Sequence, residues 1–152
     1  MYANLYKLIF SRDSFDLNDD YERLSEYEKE MISSMSVDTF FDFDHKDGNY
    51  ICFFLTDSES INSYISILKN NLIDHKLIDL SKSVIEGKID MEDEIKSSIN
   101  STSQIKFNIF IDDIDNWILQ NLNIDIVLDR ITEVGGIDNL KQIEKEFLKK
   151  YK

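Results

Sequence analysis

The chain has 152 residues, of which 42% are hydrophobic, and a formal net charge of −13. This length suits one compact domain or a small domain with an extension, and the apolar content excludes a disordered chain. The acidic balance disfavours direct contact with nucleic-acid phosphates or anionic membranes and favours basic partners.

The charge is uneven: residues 1–100 hold 21 acidic and 10 basic side chains, and residues 101–152 hold 9 and 7. Cys52 is the only cysteine, which excludes an internal disulfide and a cysteine-based zinc site. It lies in an apolar run, where it is expected to be a buried small hydrophobe. Met1-Tyr2-Ala3-Asn4 lacks the basic start of a signal peptide, and no apolar stretch has the length of a membrane span. A cytoplasmic location is therefore expected. Proline is absent, so turns fall to Gly, Asn, Asp and Ser.

Leu5 to Phe10 is a nearly continuous apolar run and predicts an internal strand. A polar loop from Ser11 to Asp20 follows, with N-cap candidates between Asp16 and Asp20. Leu24, Tyr27, Met31 and Met35 recur at helical spacing over Tyr21–Met35. Between Val37 and Thr56, two aromatic-rich runs flank Asp44-His45-Lys46-Asp47-Gly48-Asn49, the best hairpin signal in the chain. Asp57 or Ser58 can cap a second helix, with Ile61, Tyr64, Ile65, Leu68 and Leu72 as its apolar stripe. His75 to Leu80 predicts a fourth strand, at an edge because charge interrupts it.

The order strand, helix, strand, strand, helix, strand over residues 4–82 predicts an α+β fold. Its form is a ferredoxin-like βαββαβ domain, a four-stranded antiparallel sheet with both helices on one face. This domain is expected over residues 1–86, with a connecting segment at 87–122 and a mainly helical extension at 123–152. Ile89 to Ile99 has a helical pattern, and Asn100-Ser101-Thr102-Ser103 is the best linker. In Gln104–Leu122, Ile105, Phe107, Ile109 and Ile111 alternate like a strand, whereas Phe110, Ile114, Trp117, Ile118 and Leu122 step like a helix. The preferred reading is an extended start and a helix from about Asp112. Asn123 can cap a helix through Val134, stopped by Gly135-Gly136, and Ile137–Tyr151 holds a last short helix.

Val127-Leu128-Asp129-Arg130-Ile131, then Glu133, Gly135, Leu140, Glu144-Lys145-Glu146-Phe147-Leu148 and Tyr151, resembles a short helical-hairpin tail. Such tails end many unrelated bacterial proteins, including some rhomboid-type membrane proteins. The resemblance covers about the final fifth of the chain and implies no activity. This copy departs from the usual form in its glycine pair and in Lys141-Gln142, where a helix cap is expected.

Asp112, Asp113 and Asp115 are the densest carboxylate cluster. With Asp42 and Asp44 they imitate a magnesium or manganese site. A helix N-terminus, where carboxylates answer free amides and the dipole, is the simpler account and is preferred. Asp44 beside His45 suggests a base and its orienter, but adjacent strand residues point apart. Cys52 and His45 have no geometric reason to meet. The four glycines form no phosphate loop. Strand core explains the aromatic residues better than an RNA-binding platform does. No catalytic, cofactor or metal residue is assigned.

The expected function is a non-catalytic, acidic, bacterial protein-binding module, of the kind that inhibits or confers immunity against a basic protein. Asp13, Asp16, Asp19, Asp20, Asp44 and Asp47 are the candidate partner-binding residues. Alternatives are an adaptor or regulatory domain, a small metal-assisted hydrolase using the Asp clusters, and a nucleic-acid mimic. A homodimer through the sheet edge or the tail stays open.

Overall fold

The computed structural model describes residues 3–11, 22–35, 39–44, 49–98 and 104–151; at 31–35, 39–44 and 104 the description is of the backbone. The fold is α+β, with an antiparallel sheet and a mostly helical C-terminal part. The elements are β1 (Asn4–Ser11), α1 (Glu26–Met35), β2 (Thr39–Asp44), β3 (Asn49–Thr56), α2 (Ser58–Asn70) and β4 (His75–Asp79). Then follow α3 (Ser81–Ile85), α4 (Met91–Ser98), α5 (Gln104–Asn121), α6 (Ile124–Val134), a 3-10 turn (Ile137–Asn139) and α7 (Gln142–Lys150).

The strand order is β2-β3-β1-β4, and each neighbouring pair is antiparallel. The register sets Leu8 opposite Cys52 on one side and Leu77 on the other. Period-two alternation then divides β1 between two faces. Tyr6, Leu8 and Phe10 join Tyr50, Cys52 and Phe54 under Ile61, Tyr64, Ile65 and Leu68 of α2. Leu5 joins Ile51 and Phe53 under residues of the C-terminal helices, including Ile95, Phe110, Ile114, Trp117 and Val127. Both faces are covered, which is why β1 and β3 are apolar almost throughout. Among the described residues, β4 is an edge that pairs only with β1.

Lys7 is the polar exception on β1. Its Nζ lies 2.9 Å from both Glu94 Oε1 and Ser98 Oγ of α4, above the Phe53 ring. The aliphatic stem is buried while the ammonium is neutralised, so a lysine fits a strand centre. Trp117 Nε1 donates to Ala3 O at 2.8 Å and ties α5 to the start of β1.

Local chemistry sets the helix ends. Asp57 Oδ1 accepts from Ser60 N at 2.7 Å at the start of α2. Asn123 Oδ1 accepts from Ile126 N at 2.9 Å at the start of α6. Gly135, at φ 83°, takes the left-handed conformation that ends α6. Ser25 caps α1, whereas the cap candidates between Asp16 and Asp20 lie outside the described residues, beyond the helical Glu22 and Arg23. Ser25 and Glu28 exchange two hydrogen bonds, from Glu28 N to Ser25 Oγ at 3.1 Å and from Ser25 N to Glu28 Oε1 at 3.0 Å. Tyr27, expected on the inner stripe, is 68% exposed.

Two further expectations are corrected. Gln104–Asn121 is one continuous helix, without an extended start. Phe107 and Phe110 are buried, whereas Ile105 and Ile109, which created the alternation, face outward at 73% and 57% exposure. Leu72 does not extend the α2 stripe. It sits beyond the helix at φ 56° and is 86% exposed. Ile73 N then donates to Leu68 O at 2.9 Å, and Ile73 turns back into the core.

α6 and α7 pack against each other, and α7 also packs on α5. Between them lies the one buried charged side chain among the described residues, Glu144, 2% exposed. Its Oε2 accepts from Arg130 Nε and its Oε1 from Lys141 N, both at 2.9 Å. Glu144 thus supplies the start of α7 with a cap that Lys141-Gln142 does not announce. Arg130 also bonds Glu133 at 2.9 Å and lies under Gly87, where an added Cβ would stand 2.6 Å from Arg130 Nε.

Candidate functional site

Most of the expected partner-binding residues fall outside the described structure. Asp13, Asp16, Asp19 and Asp20 lie in 12–21, and His45 and Asp47 lie in 45–48. Asp44 ends β2 opposite Asn49, and only its backbone is described, as for Asp42. His75 opens β4 with Nδ1 2.9 Å from Ile73 O. Cys52 is buried, and burial pushes its thiol well above the ordinary range, away from the reactive thiolate.

Asp112, Asp113 and Asp115 lie in the middle of α5, not at a helix N-terminus, because the helix begins at Gln104. The preferred account of their clustering is therefore corrected. Their neighbours are already hydrogen-bonded along the helix, so no free amides wait for these carboxylates. Asp112 and Asp113 are exposed, whereas Asp115 is half-buried.

Asp115 lines a cavity of about 110 Å³ between the chain leading into α4, α5 and α7. Val84, Met91, Ile111, Ile114, Ile118 and Ile143 form its apolar wall. Asp90, Glu92, Lys141 and Glu144 join Asp115 around it. The volume is below the several hundred cubic ångströms of a typical small-molecule site. Burial pushes the Asp115 carboxyl up to about 6, with Asp112, Glu146, Asp90 and Glu92 adding like-charge repulsion. A shallow groove lined by Lys88, Asp90, Asp93, Glu94, Ser97 and Lys141 runs beside this cavity.

Among the described residues, no three His, Cys, Asp or Glu side chains gather in a way that could hold a metal ion. No described helix is long and apolar enough to cross a membrane. The sequence points to Asp112–Asp115 by density alone. It does not signal that Asp90, Glu92 and Glu146 converge on Asp115 from two other elements, because long-range packing brings them together.

No protein-family model matches the chain, and neither a curated protein nor a solved structure matches it.

Proposed function

We propose that this chain is a non-catalytic acidic module of the bacterial cytoplasm that binds a basic protein, as an inhibitor or immunity protein does. We also infer that its first part is a ferredoxin-like βαββαβ unit; the antiparallel order β2-β3-β1-β4 and the intervening helices α1 and α2 support that reading.

The observation that carries the functional reading is excess negative charge held at close quarters. The chain has a net charge of −13. At the junction of α4, α5 and α7, burial pushes the Asp115 carboxyl up to about 6, and like charge from Asp112, Glu146, Asp90 and Glu92 adds to the rise. Crowded carboxylates cost self-repulsion, and a cationic surface relieves it. Complementary charge also accelerates encounter and selects among partners. The binding surface in this reading includes Asp13, Asp16, Asp19, Asp20, Asp44 and Asp47, since four aspartates between 13 and 20 exceed what one helix cap uses.

The test recovers a partner at low salt and then reverses charge at Asp16, Asp19 and Asp20. The on-rate falls and its salt dependence weakens, while the circular dichroism spectrum is unchanged. Unaltered association kinetics would show that the acidic loop is not the binding surface.

A further inference from the structure

We propose that the junction of α4, α5 and α7 is a proton-responsive clasp, closed when Asp115 is protonated and loosened when it is ionised. The geometry is a half-buried carboxyl on the wall of a largely apolar cavity of about 110 Å³. Among the described residues, no donor hydrogen-bonds Asp115 and no cation pairs with it. Each packed element brings its own charges. Asp90 precedes α4 and Glu92 lies in its first turn; Asp112 lies one turn back on α5; Glu144 and Glu146 come from α7. α3 contributes only Val84 and Ile85 to the cavity.

The available cations do not answer Asp115. Arg130 is committed to Glu144 and Glu133. Lys141 lines the cavity without forming an ion pair to Asp115. An ionised Asp115 therefore faces like charge from three elements while its half-burial weakens its hydration. A protonated Asp115 removes the repulsion and leaves α7 seated on α5.

The direction follows from linkage. The carboxyl stands at about 6 in the fold against an ordinary 3.8, so the closed state binds the proton more tightly than the open one. The stabilisation is complete below the ordinary value. It is lost progressively as pH rises from about 4 to about 6, and little changes above that. Mild acidification tightens the clasp.

The experiment uses the full chain and its Asp115→Asn variant, with amide hydrogen exchange of α7 read as protection factors at pH 4.5 and 7.5. The ratio of variant to wild-type protection rises by on the order of tenfold or more between the two values, because each tenfold difference in proton affinity between the closed and open states moves their equilibrium tenfold. Carboxyl-carbon NMR titration of the wild-type chain supplies a second readout that needs no variant. Its Asp115 midpoint lies near 6, and Asp112→Asn lowers it. A protection ratio that does not change with pH, or an Asp115 midpoint near the ordinary 3.8, overturns the proposal.

Discussion

On one face of the sheet, Tyr6, Leu8, Phe10, Tyr50, Cys52 and Phe54 meet α2 in a cluster whose buried members are all apolar or aromatic. On the other face, the larger cluster is stitched with charge: Lys7 to Glu94, Arg130 to Glu144 and Glu133, and Asp115 unpaired at a cavity. The first face is held by area removed from water and by ring contacts such as Phe54 on Tyr64, at 5.2 Å between centroids. The second depends also on each buried charge keeping its partner. One sheet thus has a face whose core carries no charge and a face whose packing includes charged side chains.

The sharpest way to break this contrast is to remove one anchor from each face. Phe54→Ala leaves a void beside Tyr64 and costs about 3–5 kcal/mol by chemical denaturation. Arg130→Ala leaves Glu144 buried without its cation and costs about as much, roughly 3–5 kcal/mol. The two losses differ in remedy. Adding Glu144→Gln to Arg130→Ala recovers part of the stability, because the uncompensated charge disappears. A loss below about 1 kcal/mol for Arg130→Ala would place that pair among ordinary surface contacts and remove the contrast.

A smaller effect is expected at Gly87, which holds φ 75° directly over the Arg130 guanidinium. Gly87→Ala combines left-handed strain with a push on a pinned side chain, and costs about 2 kcal/mol. Unchanged stability would mean that Arg130 shifts freely and that the second face is loosely packed there. The smallest effect belongs to the first face. Leu72 takes a left-handed conformation while 86% exposed, so Leu72→Gly loses little packing and gains up to about 1 kcal/mol. A loss of stability there would mean that Leu72 packs on something.

Features written in neighbouring residues are the ones legible in the sequence. Leu5–Phe10, the hairpin strands, the Asp57 and Asn123 caps and the Gly135 stop all rest on local chemistry, and the structure has each of them. α5 was not legible over its first two turns, because exposed Ile105 and Ile109 alternate with buried Phe107 and imitate a strand. α3 was missed because five residues carry too little periodicity. The Asp115 cavity and the Arg130–Glu144 pair come from contacts across loops, which spacing does not encode. The aspartates proposed to bind a partner are legible as charge, but all except Asp44 lie outside the described residues.

The hydrogen bond from Trp117 to Ala3 joins residues 114 positions apart, and β1 has both its sheet neighbours later in the chain. During synthesis β1 therefore emerges first and waits. One edge stays open until β3 is out, the other until β4 is out, and its second face is bare until α3, α4 and α5 follow. A strand this apolar, left unpaired until its partners follow, is the part of the sheet most open to wrong pairing during synthesis.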